Sequence, residues 1–401
     1  MHEIARGFQL TRPPAGFIDD PYPYYTILRE HDPVHALEGG GVLLTRYEDA
    51  LTVYRDSHAS SDKTIEFKPK FGDSPLYQHH TTSLVFSDPP LHTRVRRLIM
   101  GALNQRAIAR MEADVVRLVD ALLARLGEKR EVNFIEEFAA GIPVEVIGNL
   151  LDIPRGERGP LRGWSLAILS ALEPSPDREV LERGNRAVTD FIEYLGLLVA
   201  ERRRHPGDPE SDVLTRLIRG EKDGERLTEK ELYHNCIFLL NAGHETTTNL
   251  IGSGMWLLLT HPREMVRLRA TPELIPSAVE EMLRYEGPIQ LNNRRLTKSM
   301  QLGGKELPEG TFITIAIGAA NRDPSQFAEA ERFDVGRNPN RHVAFGQGAH
   351  ACAGMNVARM EARIAFTRLL ARYREIELVG DPMRDRRIRF RGFKDLPVRL
   401  A

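Results

Sequence analysis

The feature that most constrains the fold is one long helix predicted near the middle of the chain. Thr228 is followed three residues later by Glu231, the spacing of a capping box, and His261–Pro262 ends the helical pattern. The sequence therefore predicts a helix from Thr228 to Thr260. Polar residues from Asn241 onward interrupt its apolar run well short of the ~20 residues that a membrane span needs.

Helical periodicity continues on both sides of this helix, and strand patterns are few. The other predicted helices cover residues 22–29, 108–126, 133–151, 162–172, 180–203, 213–218, 263–269, 276–285 and 353–372. Predicted strands cover 34–37, 42–46, 302–303, 312–317 and the alternating tail 386–400. Because strands and helices do not alternate, a doubly wound nucleotide-binding fold is excluded. We expect a mainly α fold with minor β, in a single domain over residues 1–401.

The charge balance argues against one broad class of function. The chain has 55 Lys and Arg against 56 Asp and Glu, whereas nucleic-acid-binding domains are usually strongly basic. Two cysteines in 401 residues cannot form a disulfide framework. The first thirty residues lack the apolar run of a signal peptide. We therefore expect a cytoplasmic protein that binds neither nucleic acid nor membrane.

A glycine-rich segment near the C-terminus carries the residue best suited to metal chemistry. In Phe345-Gly-Gln-Gly-Ala-His350-Ala-Cys352-Ala-Gly354 the cysteine precedes a predicted long helix, whose N-terminal N–H groups favour a thiolate. The glycines allow the backbone to approach a bound group closely. Taken alone, Cys352 is equally a small buried apolar residue. A zinc site with His350 or His342 is a weaker alternative, because no second cysteine or paired histidine has ligand spacing.

A second unusual segment lies in the middle of the long helix. Glu245 sits in an apolar run, and a buried carboxylate without a partner is costly. Gly243 costs about 1 kcal/mol relative to alanine in a helix interior, and the hydroxyl of Thr246 can bond a preceding carbonyl. The combination indicates a helix that opens to admit a small polar ligand. The alternative is an exposed glutamate beside a buried threonine.

These segments resemble the cytochrome P-450 family. The cysteine segment is similar to the family's heme-binding signature, Phe-Gly-x-Gly-x-His/Arg-x-Cys-x-Gly, and the residues around Thr246 are similar to its oxygen-binding segment. Glu281-Met-Leu-Arg284 resembles the family's Glu-x-x-Arg. Asp88-Pro-Pro-Leu-His92-Thr-Arg-Val-Arg96 resembles a segment of its soluble bacterial members. The resemblance covers essentially the whole chain and implies the P-450 fold, with the long central helix over a heme and small β-sheets at the N-terminal side.

The resemblance implies heme b as the cofactor and Cys352 as the axial thiolate ligand of its iron. It also places Phe345, Gly346 and Gly243 against the heme. Four residues match the family's anchors for the two heme propionates, which need cationic partners: His92, Arg96, Arg294 and His350. Arg295, next to Arg294, is the alternative anchor on that segment.

The resemblance assigns proton chemistry to the central helix. It implies that Thr246 hydrogen-bonds dioxygen and water, and that Glu245 relays protons from solvent. Asn241, just before the oxygen-binding segment, either orients a polar substrate or bonds a neighbouring residue.

A buried ion network is expected beneath the heme loop. Glu281 and Arg284 are three residues apart and share a helix face. By resemblance they join an arginine further along the chain, with Arg332 expected as the third member and Arg337 as the alternative. The family often has proline where this chain has Ala330, so the match is weaker in this region.

The resemblance implies a monooxygenase that inserts one oxygen atom of O₂ into a small hydrophobic substrate, by hydroxylation or oxidative demethylation. Electrons are expected from a separate ferredoxin with an NAD(P)H-dependent reductase, and we expect the enzyme to be a monomer. Arginines of the expected docking face could attract an acidic partner. They include Arg97, Arg106, Arg341 and Arg359.

Apolar residues from several segments are expected to line the substrate pocket, although such residues are more often core. They are Ile237, Leu240, Ile289, Leu291 and Phe393. Two other functions stay open. A heme-thiolate peroxygenase would use hydrogen peroxide, but such family members usually lack the acid–threonine pair. A non-catalytic heme-thiolate binder, such as a gas sensor, has no need of Thr246.

Overall fold

The computed structural model describes residues 2–103, 105–127, 131–209, 212–220 and 226–401. The helices in these ranges are α1 His2–Gly7, α2 Tyr22–His31, α3 Tyr47–Arg55, α4 Thr64–Phe71, α5 Pro75–Thr82, α6 Leu91–Ala102, α7 Gln105–Leu126, α8 Gly141–Leu150, α9 Leu161–Ser170, α10 Arg178–Arg204, α11 Val213–Arg219, α12 Glu229–Thr260, α13 Pro262–Ala270, α14 Ile275–Tyr285, α15 Ile317–Ala320 and α16 Met355–Arg372. The strands are β1 Val34–Leu37, β2 Gly41–Leu44, β3 Ala59–Ser60, β4 Glu131–Asn133, β5 Leu291–Leu296, β6 Met300–Leu302, β7 Lys305–Leu307, β8 Phe312–Ala316, β9 Ile376–Leu378, β10 Met383–Arg384, β11 Phe393–Asp395 and β12 Pro397–Leu400. The expectation of a mainly α fold with minor β is confirmed.

Helix α12 is the predicted central helix. The hydroxyl of Thr228 accepts from the backbone N–H of Glu231 at 3.2 Å, and the N–H of Thr228 donates to the Glu231 carboxylate at 2.8 Å, so the capping box is present. Residues on nearly all sides of the helix are buried. A helix surrounded in this way lies in the centre of the core.

The start of α12 is tied to α6 through the same carboxylate. Arg94 of α6 donates from Nη1 to Glu231 Oε2 at 3.1 Å and also to the carbonyl of Arg226. Helix α6 carries His92 and Arg96, two of the expected heme anchors. Glu231 therefore links the first turn of the central helix to the helix that bears these anchors.

Glycines allow other helices to approach α12 closely. A Cβ at Gly243 would lie 2.6 Å from Cδ1 of Ile147 on α8, and a Cβ at Gly254 would lie 2.7 Å from the Phe366 ring of α16. These distances leave no room for a methyl group without displacement. Close packing of this kind fixes α8 and α16 against the central helix.

A five-stranded sheet lies beside the helices, in the order β1-β2-β8-β5-β3. Strand β2 pairs parallel with β8, and the other neighbours are antiparallel. Strand β5 carries Arg294. Ala59 and Ser60 of strand β3 pair with β5. Smaller sheets have the orders β4-β12-β9, β10-β11 and β6-β7.

Two predicted elements differ from the structure. The helix predicted over 133–151 is divided into β4, a π-helical turn at Ile135–Ala139 and α8. The side chain of Asn133 accepts from the N–H of Ile135 at 3.0 Å, which begins the new turn after the strand. The tail predicted as strand over 386–400 forms β11 and β12 only from Phe393 onward. None of the helices in the described ranges is both long enough and apolar enough to traverse a bilayer.

Candidate active site

Cys352 lies in a tight loop between a 3₁₀ turn at Gly348–His350 and the start of α16. Its N–H donates to the carbonyl of Phe345 at 2.8 Å, and the N–H of Gly354 donates to its sulfur. Burial raises the pKa of the Cys352 thiol, while Gly354, Arg96 and Arg359 oppose that rise. Burial thus opposes the local dipoles that were expected to favour a thiolate at Cys352. A buried thiol of this kind is ionised by a bound metal ion.

Two glycines shape the cysteine loop. Gly346 and Gly348 have φ values of +65° and +70°, a conformation that other residues rarely adopt. A Cβ at Gly348 would lie only 2.3 Å from the carbonyl oxygen of Tyr54 on α3. The loop therefore packs directly against α3. Cys352 itself is only partly buried.

A cluster of basic groups surrounds this loop. The rings of His92 and His350 lie 4.0 Å apart, and Arg96 donates from Nη2 to the carbonyl of Ala351 at 2.8 Å. Arg294 is buried, with its guanidinium 5.5 Å from the centre of the Tyr54 ring. Burial, together with the nearby His92, Arg294, Arg96 and Lys63, lowers the pKa of His350 to about 3. The four predicted anchors are thus together, and Lys63 is a neighbour that the sequence analysis missed.

The cluster lacks a matching anion. Among the described residues, neither Arg96 nor Arg294 forms an ion pair with a carboxylate, and Nε2 of buried His92 has no hydrogen-bond partner. Converging cations without counter-charge are costly unless an anionic group binds there. This donor set fits a ligand with two carboxylates beside a thiolate-bound metal, as a heme has. In the described ranges no three His, Cys, Asp or Glu side chains are placed to hold a metal ion, so the zinc alternative has no support.

In the central part of α12, from His234 to Met255, one stripe is accessible and the other residues are buried. The stripe consists of Phe238, Leu239, Ala242, Gly243 and Thr246, which recur at helical spacing. The hydroxyl of Thr246 donates to the carbonyl of Ala242 at 2.7 Å, as predicted. Accessible residues on an interior helix indicate a cavity along this stripe.

Comparison with known proteins decides the family. The family model described as Cytochrome P450 matches residues 169–273 and 269–391. A relative named Cytochrome P450 107B1, from Saccharopolyspora erythraea, is 37% identical over 402 residues that cover 96% of each chain. The chain belongs to the cytochrome P450 family. The 6-deoxyerythronolide B hydroxylase of the same organism is 35% identical, over 95% of this chain and 96% of its own.

Solved P450 structures have the same fold. P450BioI, in complex with an acyl carrier protein bearing hexadec-9Z-enoic acid, superposes with a TM-score of 0.91 at 32% identity, over 96% of this chain and 99% of that one. The expected P-450 fold is confirmed. This P450 is a monooxygenase that uses heme b, iron and O₂.

The central helix of this P450 is continuous through the oxygen-binding segment. The prediction of an opened helix is therefore wrong for this structure. Gly243 has a packing role instead, because its missing side chain leaves room for Ile147 of α8. Thr246 keeps its place on the accessible stripe.

Glu245 does not stand alone in the core. Its side chain is 3% exposed, and its carboxylate contacts the guanidinium of Arg387, which is 10% exposed. Arg387 lies 142 positions further along the chain, and no local sequence pattern connects the two. The structure thus places a guanidinium against the buried acid, although neither carboxylate oxygen makes a hydrogen bond with another described residue.

Asn241 has one identified partner. Its Nδ2 lies 3.4 Å from Nε2 of His79 on α5, while its Oδ1 has no partner among the described residues. His234 packs near His79, with ring centres 5.7 Å apart. Burial lowers the pKa of His234 to about 4, so both rings are neutral at physiological pH. The P450 therefore has a neutral imidazole cluster beside α12 that sequence analysis missed.

The buried network around Glu281 contains Arg337 and not the side chain of Arg332. Arg284 donates to both carboxylate oxygens of Glu281 at 2.7 and 2.8 Å. Arg337 donates from Nε to the same two oxygens. The prediction of Arg332 is wrong, because its guanidinium pairs with Glu329 on the surface and only its carbonyl enters the network.

The departure from the family at Ala330 has no cost here. Its carbonyl, a group that any residue supplies, accepts from Nη1 of Arg284 at 2.9 Å. The carbonyl of Asn321 accepts from the same nitrogen at 2.9 Å. The network therefore depends on the path of the backbone and not on a proline at position 330.

Two expectations about surfaces need revision. Arg359, expected on the docking face, pairs with Glu280 at 2.7 Å, whereas Arg341 is exposed. Burial alone would raise the pKa of Glu280, but His342 and Arg359 lower it to about 2. Most of the residues expected to line the pocket are instead buried in hydrophobic clusters, which is their ordinary role. These are Ile237, Leu240, Leu291 and Phe393.

Proposed function

We propose that this P450 inserts one oxygen atom of O₂ into a small, largely hydrophobic molecule, by hydroxylation or oxidative demethylation, within a single domain. The observation that carries the proposal is the pairing of two features. A cysteine loop lies beside Arg96 and Arg294, which form no ion pair with a carboxylate among the described residues, and the central helix presents Thr246 beside a buried acid, Glu245. The first feature suits a heme, and the second suits proton delivery to oxygen.

Cys352 would hold the heme iron through its sulfur. The N–H of Gly354 points at that sulfur, which lowers the charge density on a thiolate and tunes the metal. Gly346 and Gly348 keep the loop flat against α3. Phe345 lies next to the same loop and carries the guanidinium of Arg359 over its ring at 4.8 Å.

The basic cluster would hold the propionates. Arg96 and Arg294 are permanently charged forks suited to carboxylates. His92 and His350 present neutral rings, and Nε2 of His92 is an available donor in one tautomer. Burial of Arg294 in β5 fixes its position before the cofactor enters.

Thr246 and Glu245 would supply protons. When bound, a heme would supply the oxygen chemistry: with two electrons from the redox partner and two protons, one atom of O₂ would enter the substrate and the other would leave as water. Thr246 can rotate its hydroxyl from the Ala242 carbonyl toward the cavity and donate there. Glu245, one residue earlier, would refill that donor as a general acid through water.

The electrons would come from a separate iron–sulfur ferredoxin and its NAD(P)H-dependent reductase. An acidic ferredoxin would meet arginines on the cysteine side of the molecule. Arg97, Arg106 and Arg341 are the exposed members of the predicted set, and the hydroxyl of Tyr47 donates to the backbone carbonyl of Arg341 at 2.7 Å. Reversing the charge of Arg341 tests this contact through the rate of reduction.

The substrate would lie along the accessible stripe of α12. Phe238 and Leu239 provide an apolar surface there, while Thr246 and Asn241 provide polar groups. Relatives are named for the hydroxylation of 6-deoxyerythronolide B, and solved structures contain hexadec-9Z-enoic acid on an acyl carrier protein or myristic acid. A ligand screen by the shift of the heme absorption band, begun with a macrolactone and a fatty acid, would identify the class.

The reduced carbon monoxide spectrum tests the site directly. With Cys352 as ligand, the Soret maximum lies far to the red of the histidine-ligated position. Cys352→Ser should abolish that band. Cys236→Ser is the matched control, since Cys236 is fully buried in α12 and burial raises the pKa of its thiol to about 12. A red-shifted band in Cys352→Ser, or its loss only in Cys236→Ser, would contradict the proposal.

A further inference from the structure

The contact between Glu245 and Arg387 joins the central helix to a loop near the C-terminus. The loop, residues 385–392, connects β10 to β11. It packs tightly on α12, because a Cβ at Gly392 would lie 2.1 Å from the side chain of Asn249, one turn after Glu245. This packing places Arg387 beside the buried carboxylate of Glu245.

The loop is itself fixed by a carboxylate just beyond α9. Glu173 accepts from the N–H groups of Ile388 and Arg389 at 2.8 and 3.0 Å, and from that of Phe390 at 3.4 Å. The guanidinium of Arg387 also lies 5.4 Å from the centre of the Phe390 ring. Three successive backbone donors on one carboxylate define the loop conformation, and hence the direction of Arg387.

Arg387 has a second carboxylate within reach. Its Nη2 lies 2.7 Å from Asp385, whose side chain is 38% exposed, and Nη2 is also the atom that contacts Glu245. The other guanidinium nitrogens, Nε and Nη1, have no partner among the described residues. Burial lowers the pKa of Arg387 to about 10, so the side chain is charged at neutral pH. One cation is thus shared by a buried and a partly exposed acid.

We propose that Arg387 is a positioning residue that orients Glu245 for proton delivery to Thr246, with Asp385 as the acceptor that keeps Arg387 paired when Glu245 turns away. The proposal rests on the proposed function, because that function gives Glu245 its role. While paired with Arg387, the Glu245 carboxylate is directed to the loop side of α12; once released, it would take a proton from solvent water and pass it on to Thr246. Release toward Thr246 would leave Arg387 buried without a partner unless Asp385 took over the contact.

The test measures proton delivery without a known substrate. The heme-loaded enzyme is reduced, then mixed in a stopped-flow apparatus with oxygenated buffer and excess reduced ferredoxin, and the return of the ferric spectrum is followed in H₂O and D₂O. We expect Arg387→Gln to slow this return roughly tenfold or more, and to enlarge the solvent isotope effect. Arg387→Lys, which keeps the charge, should recover most of the rate.

A matched control and a double variant separate positioning from general damage. Arg386→Gln alters the adjacent arginine, which is 72% exposed and whose guanidinium pairs with Asp19 at 3.9 Å, and should behave as wild type. In a Glu245→Gln background, Arg387→Gln should add nothing, because both changes remove one coupled function. Fully additive effects, a wild-type rate in Arg387→Gln, or equal loss in Arg387→Lys would overturn the proposal.

Asp385→Asn provides a test that does not disturb the buried pair. It removes the alternative acceptor and leaves Arg387 on Glu245, so we expect a slower return with a larger solvent isotope effect. An unchanged rate and isotope effect would refute the exchange between the two acids. In every variant a red-shifted carbon monoxide band shows that the heme site is intact. Absence of that band in the wild type would overturn the proposed function and with it this inference, whereas an intact band with unchanged variant rates would overturn this inference alone.

Discussion

Arg337 donates from Nε to both carboxylate oxygens of Glu281 at 3.1 Å, and so closes a buried network that begins with Arg284. The Glu281 carboxylate also accepts from the N–H of Asp334 and from Asn340, at 3.0 Å each. One buried acid therefore fixes the position of the chain segment that leads into the cysteine loop.

Arg337→Ala should destabilise the protein strongly, because it removes a major partner of a fully buried carboxylate. We expect a loss of about 3–5 kcal/mol in the free energy of unfolding, together with reduced heme content. Arg332→Ala is the matched control and should change stability by about 0.5 kcal/mol or less, since that guanidinium pairs only with exposed Glu329. Chemical denaturation compares the two, and equal losses would contradict the assignment of Arg337.

Thr246→Ala should separate NAD(P)H consumption from product formation. Without its hydroxyl, proton delivery fails and reduced oxygen leaves as hydrogen peroxide. The measurement is the peroxide formed per NAD(P)H consumed. Thr248→Ala is the control on the same helix, because the Thr248 hydroxyl is buried and donates to the carbonyl of His244 at 3.0 Å. Similar peroxide yields in the two variants would remove the role of Thr246.

Arg294→Gln should weaken heme retention, whereas Arg295→Gln should not. Successive side chains of a strand point to opposite faces, and Arg294 is buried toward Tyr54 while Arg295 lies near Gly310. Loss of one charged hydrogen bond to a propionate should speed heme transfer to an apo-globin about tenfold. Faster heme transfer from Arg295→Gln than from Arg294→Gln would identify Arg295, and not Arg294, as the propionate anchor.

Glu361 on α16 should make stability depend on pH. Burial raises the pKa of Glu361 from its ordinary 4.5 to about 8. The folded state therefore holds a proton that the unfolded state has lost, and stability decreases as pH rises from about 4.5 to about 8.

Glu361→Gln should remove this dependence. We expect a gain of about 2–4 kcal/mol at pH 8 and little change at pH 4.5, measured by denaturation at both values. Glu375→Gln, an exposed site, should change neither. A gain that is the same at both pH values would show that the carboxyl of Glu361 does not titrate between them.

Local patterns predicted much of the fold. The capping box at Thr228 and Glu231 acts within one turn, and the helix it begins is present with the expected ends. Helix α6, Leu91–Ala102, was not among the predicted helices, and α4 and α5 are short helices whose existence depends on packing. Such helices lack the length over which periodicity becomes visible.

The partners of charged residues could not be predicted in the same way. Glu281 meets Arg337 and Glu245 meets Arg387 only because separate segments are brought together by the core. Arg332 matched the spacing equally well, and the path of the loop decided between the two arginines. The residues of the family's motifs were predicted from sequence, but the residues that pair with them in the folded chain were not.

Glu231 has a consequence for how this enzyme can change. Its carboxylate both caps α12 and binds Arg94 of α6. The helix with the proposed propionate anchors and the helix with Thr246 are therefore joined through one side chain. A shift of α6 along α12 would break both contacts of Glu231. We therefore expect that adaptation to a larger substrate exchanges side chains along the accessible stripe, because those changes leave the contacts of Glu231 in place.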